Sequence, residues 1–76
     1  MGGNVLKNRI KVHRAIKDWT QEELAHRVGV TRKTINTIEN GVYIPSTYLA
    51  MKIAKAFGTT VEDVFQFAED TVNEGK

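Results

Sequence analysis

The sequence predicts an all-α fold, a compact bundle of five short helices. Apolar residues recur at helical spacing, as in Leu24/Val28 and Ile35/Ile38. Thr20, Thr31, Ser46 and Thr60 each stand just before such a stretch, where an N-cap hydroxyl belongs. Gly29, Gly41 and Gly58 stand where helices must stop. No strand and no internal repeat is expected.

Met1 to Val5 is short and glycine-rich, and 1–5 is read as a flexible N-terminus. A first helix is expected from Leu6 to Lys17, with Leu6, Ile10 and His13 on one face and Val12 and Ile16 on an adjoining one. His13 fits either a neutral, hydrogen-bonded core imidazole or a weak point in the packing.

The stretch Thr20 to Gly41 then gives two helices and a tight turn. Thr20 caps the first, and Glu23 three residues on can return the bond as a capping box. Trp19 and Leu24 occupy the positions of a hydrophobic staple. Leu24 and Val28 face inward, Ala25 allows close approach, and Val30 plugs the corner. Ile35 and Ile38 pin the second helix, so the pair crosses steeply as a helix-turn-helix over 20–41.

Pro45 denies helix to Ile44, and Ser46 caps a fourth helix, Thr47 to Phe57, that buries Leu49, Ala50, Ile53, Ala54 and Phe57. Thr60 and Asp63 start a fifth, Val61 to about Phe67. Residues 68–76 read as an acidic, flexible tail, which leaves 6–67 as the folded domain.

Seventy-six residues make one domain of limited margin, of a size that gains from association. Cysteine is absent, so disulfides and thiolate metal sites are excluded. His26 has no partner at ligand spacing, and no metal or cofactor is expected. No apolar run approaches the ~20 residues that span a bilayer, and no signal-peptide layout is present. A cytoplasmic, nucleoid-associated protein without membrane contact is the simplest expectation. Enzymatic chemistry lacks a constellation: there is no credible Ser/His/Asp set and no Gly-rich phosphate loop.

Net charge is only +2, but it is unevenly spread. Residues 1–45 hold eight Lys/Arg against four acids, and residues 46–76 three Lys against five acids. The basic half contains the helix-turn-helix, as a polyanion-binding face requires. On its second helix, Arg32, Lys33, Asn36, Thr37 and Asn40 form one stripe at about 100° per residue. That stripe has long donors and amides and no acid, the chemistry that reads base edges and touches phosphates.

These residues resemble the helix-turn-helix of the phage repressor and Cro (XRE-type) regulators. The marks are Q-E-E-L-A at 21–25, V-G-V at 28–30, T-R-K-T-I-N at 31–36, I-E-N-G at 38–41 and Y-I-P-S at 43–46. The likeness runs from about Asn8 to Phe67 and is strongest to small single-domain prokaryotic members ending in V-E-D-V-F-Q.

The resemblance implies a sequence-specific regulator of transcription, a repressor, that binds double-stranded DNA through the major groove. Arg32 and Lys33 are then the readers of guanine, with Arg32 favoured by its planar fork. Asn36 suits adenine N6 and N7, and Thr37 a thymine methyl or a phosphate. Gln21, Thr31 and Asn40 match phosphate contacts, and Tyr43 adds another or packs over the core. Arg14 and Glu39 match a structural ion pair between the first and third helices. Three positions depart from the family habit: an aliphatic residue is usual at His13, glutamine is common at Lys33, and a basic residue is frequent at Val42.

One such module binds weakly, so a homodimer on a palindrome is expected. Val61, Phe65 and Phe67 are the candidate interface, because they supply more apolar area than one short helix buries. No small-molecule ligand is evident. The rival function is a protein-binding module, an antitoxin or adaptor of the same fold with DNA binding secondary. The basic stripe argues against it, since a protein-binding face would expose aromatic or aliphatic anchors.

Overall fold

The computed structural model describes residues 6–67; the expected flexible ends, 1–5 and 68–76, lie outside the described residues. The elements run β1 (Leu6–Asn8), α1 (Ile10–Lys17), α2 (Gln21–Val28), α3 (Arg32–Glu39), α4 (Thr47–Phe57), α5 (Val61–Val64) and β2 (Phe65–Phe67). Five helices are present, as the periodicity predicts, and a two-stranded sheet is added to them.

That sheet corrects the sequence reading at both ends. The strands pair antiparallel with Leu6 opposite Phe67, Lys7 opposite Gln66 and Asn8 opposite Phe65. Helix α1 therefore starts at Ile10, not Leu6, and α5 stops at Val64 instead of running to Phe67. Asn8 is the cause at the first boundary. Its Oδ1 accepts from the Ile10 N–H at 3.1 Å, while its Nδ2 donates to the carbonyl of Ile38 at 2.9 Å. An asparagine that serves local backbone groups competes with helix and marks its start. One side chain thus opens α1 and adds a second hydrogen bond to the Ile38 carbonyl, which also accepts from the Gly41 N–H at 3.0 Å.

The caps follow the sequence. Thr20, Thr31, Ser46 and Thr60 accept from the N–H groups of Glu23, Thr34, Leu49 and Asp63. The capping box at Thr20 is only half used, since Glu23 turns its carboxylate to Arg27 Nε at 2.8 Å. Gly29 ends α2 at φ 80°, the left-handed conformation that glycine takes without Cβ strain. Asp18 takes the same conformation at the end of α1, at φ 62°.

The core gathers around Ile10, Leu24, Ile35, Ile38, Ile53 and Val64, all buried. His13 packs against this core without the hydrogen bond expected of a core imidazole. Its ring stacks on Phe57 with centroids 5.1 Å apart, and Nε2 lies 3.1 Å from Asp63 Oδ2 without hydrogen-bond alignment. Trp19 stacks on the same Phe57 at 5.6 Å and carries the Arg27 guanidinium 4.2 Å from its ring centroid. Val12 and Ile16 turn outward, the latter 71% exposed.

Candidate nucleic-acid interface

The helix-turn-helix is built by packing α3 across α2. Leu24, Ala25 and Val28 from α2 meet Ile35 and Ile38 from α3, all buried. Pinning α3 from behind by its two isoleucines leaves its opposite side to solvent. Arg32, Lys33 and Asn40 are exposed there, with Asn36 and Thr37 half-buried between them. Arg32, Asn36 and Asn40 follow one another at four-residue spacing, a single ridge along the helix.

The one acid of α3 is turned the other way. The Glu39 side chain is 3% exposed and takes the Arg14 guanidinium side-on. Nε donates to Oε2 at 2.6 Å and Nη2 to Oε1 at 3.2 Å, a two-pronged charge-assisted contact. The remaining Arg14 nitrogen, Nη1, donates to the Trp19 carbonyl at 3.0 Å. Negative charge that would repel a phosphate is thus neutralised below the surface, and α1 is tied to α3.

Gln21, at the start of α2, bridges this pair to the ridge. Its Nε2 donates to Glu39 Oε1 at 3.1 Å and to Asn36 Oδ1 at 3.2 Å, and Arg32 Nη1 lies 3.4 Å from its Oε1. Both hydrogens of the Gln21 amide are therefore engaged within the protein. Beside it, the first turn of α2 presents backbone N–H groups that helix geometry leaves without intrahelical partners.

Thr31 Oγ1 accepts from the Thr34 N–H at 3.2 Å and lies 3.1 Å from the Thr34 hydroxyl. Thr37 Oγ1 donates to the Thr34 carbonyl at 2.9 Å, which commits its proton inside the helix. Asn40 Nδ2 donates to Asn36 Oδ1 at 3.4 Å. Tyr43 is half-exposed and shares a shallow hollow with Lys33, Thr34, Thr37 and Val42. The sequence reading missed Thr34 here, although its position about 60° from Thr37 on the helical wheel places it beside the stripe.

Phe65 departs from its expected place. It is 8% exposed and belongs to the domain's own core, because its strand folds back onto β1. Phe67, 64% exposed, borders an open apolar groove of about 300 Å³ with Val61, Met51 and Pro45. Among the described residues no group of three His, Asp or Glu side chains is placed to hold a metal. Nor is any described helix long and apolar enough to cross a membrane.

A helix packed this way, with its acid hidden and its cations outward, matches a known pattern. The helix-turn-helix family model matches residues 10–64. The chain belongs to that family, the helix-turn-helix regulators of phage repressor and Cro type. It is 51% identical over 65 residues to an uncharacterized HTH-type transcriptional regulator of Methanocaldococcus jannaschii, covering 86% of this chain and 98% of that one. A putative DNA-binding protein from Bacteroides fragilis superposes with a TM-score of 0.72 at 28% identity, over 80% of this chain and 98% of that one. The clp gene regulator ClgR from Corynebacterium glutamicum superposes at 0.67 with 30% identity, over 71% of this chain; the match spans 57% of ClgR. This protein is therefore a DNA-binding transcriptional regulator of the helix-turn-helix type and not an enzyme.

Proposed function

We propose that this helix-turn-helix regulator is a repressor that binds a palindromic operator in the cytoplasm as a homodimer, with α3 in the major groove of each half-site. The single observation that carries the reading is the division of charge on α3. Arg32 and Lys33 face solvent while Glu39, its one acid, is buried against Arg14. A helix meant for a protein groove would instead present apolar anchors on that side.

In this reading Arg32, Lys33, Asn36 and Thr37 meet base edges, and Thr31, Asn40, Tyr43 and the start of α2 at Gln21 meet phosphates. A lysine or arginine can donate to guanine O6 and N7, and arginine does so with two nitrogens at once. The two-fold partner is supported by the apolar groove between α4, α5 and β2. Phe67 and Met51 are exposed there, by 64% and 58%, around a hollow that one copy leaves open. In this reading a symmetric contact through that groove sets the two α3 helices on successive major grooves, with half-site centres about 34–36 Å apart. Repression then follows from occupancy, because a dimer covering a promoter excludes what else must bind it.

Selection of bound duplexes from a random pool, with the mass of the complex measured, tests all parts. Enrichment of an inverted repeat bound by two chains is the expected result. Absence of any enriched sequence at modest salt would overturn sequence-specific binding, and an asymmetric site bound by one chain would overturn the dimer.

A further inference from the structure

The hydrogen-bond order behind α3 fixes more than its position. Glu39 is a carboxylate that only accepts, and it is buried beneath the ridge. The Gln21 group 3.1 Å from it must be the amide nitrogen, since an oxygen there would face an oxygen. Gln21 Oε1 consequently points toward the Arg32 guanidinium, which has donors only. The nitrogen of Gln21 next requires an acceptor from Asn36, so Asn36 presents Oδ1 inward at 3.2 Å. Asn40 Nδ2 reaches the same oxygen at 3.4 Å. An amide oxygen has two lone pairs, and both are occupied.

We infer that Asn36 meets DNA as a donor alone, through Nδ2, and that the half-site therefore carries guanine opposite it. This rests on the major-groove reading above. An asparagine free to turn reads adenine by accepting from N6 and donating to N7. Here the accepting half is spent inside the protein. Guanine offers two adjacent acceptors, N7 and O6, and adenine sets an amino group where the second would be. The preference expected of Asn36 from residue type alone is thereby reversed. Gln21 and Glu39 are positioning residues for this specificity, acting through Asn36 without touching a base.

Selection from a random pool with the wild-type chain and with Asn36→Ala identifies the base pair that Asn36 faces, as the one whose preference disappears. Guanine is expected at that position, and its replacement by adenine should weaken binding roughly tenfold or more. Inosine, which keeps N7 and O6, should bind as guanine does, and 7-deazaguanine should not. The double variant Gln21→Ala/Asn40→Ala frees the Asn36 oxygen and should shift the preference at that one pair toward adenine. A loss of folding or of general affinity could not produce such a shift. Adenine at the wild-type position, or no change of preference in Asn36→Ala, overturns the inference and leaves DNA binding intact. A pool without any enriched sequence overturns the reading beneath it instead.

Discussion

Arg14 and Glu39, 25 residues apart, meet at 2.6 Å with side chains 15% and 3% exposed. Surface pairs of this kind contribute ~0–1 kcal/mol, whereas removing one partner of a buried pair strands a charge at a cost of ~3–5 kcal/mol. The second regime applies to Glu39, which also receives Gln21. Glu39→Ala should therefore lose about 3 kcal/mol in urea unfolding, a large share of what a domain this small has. A loss below about 1 kcal/mol would reduce the pair to a solvated contact.

Arg32 is exposed at the first turn of α3, held only by a 3.4 Å approach to Gln21 Oε1. Arg32→Ala should cost ~1–3 kcal/mol on the selected site and relax preference at one base pair, measured by competition between cognate and random duplexes. Equal losses on both would make Arg32 a phosphate contact. The fold should be untouched, since the side chain buries nothing in the core.

Asp18 closes α1 at φ 62°, a conformation in which glycine alone avoids Cβ strain. Its carboxylate also lies at a helix C-terminus, where negative charge is unfavourable. Asp18→Gly removes both penalties, partly offset by the added freedom of the unfolded chain. A net gain of about 0.5–1 kcal/mol is expected, read as a Tm increase of roughly 2–8 °C for a domain of this size. A lower Tm would mean that the aspartate stabilises the turn through contacts that outweigh its strain.

The helices were legible because their signals are local. Thr20, Thr31, Ser46 and Thr60 each cap the helix that the residue pattern assigns them, within three positions in sequence. The sheet was not legible for the converse reason. Leu6 pairs with Phe67 across nearly the whole chain, and strands of three residues are too short to show period-two alternation. In the site, the helical wheel was enough to find the exposed stripe of α3. It could not show which hydrogen each amide spends inside the protein. Gln21 is the example: its residue type suits a phosphate, and its neighbours Glu39 and Asn36 take both of its protons. That outcome depends on how α2 crosses α3, a tertiary fact.

Phe67 closes the sheet at its outer end and is 64% exposed beside Met51, so its ring is available to a second copy in a way that Phe65, at 8%, is not. A buried apolar contact at a two-fold interface tolerates a charge poorly, because the carboxylate would be desolvated opposite its own symmetry mate. Within one chain the same substitution loses only a cross-strand apolar pair with Leu6, about 0.2–1 kcal/mol. Phe67→Glu should therefore fold, with a nearly unchanged circular dichroism spectrum, and sediment as the 8.6 kDa monomer while the wild type sediments as a dimer. Its affinity for a full palindrome should fall toward that for a half-site. If the variant remains dimeric, the interface lies elsewhere, and the outward-facing Val12 and Ile16 on α1 are the next apolar surface to substitute.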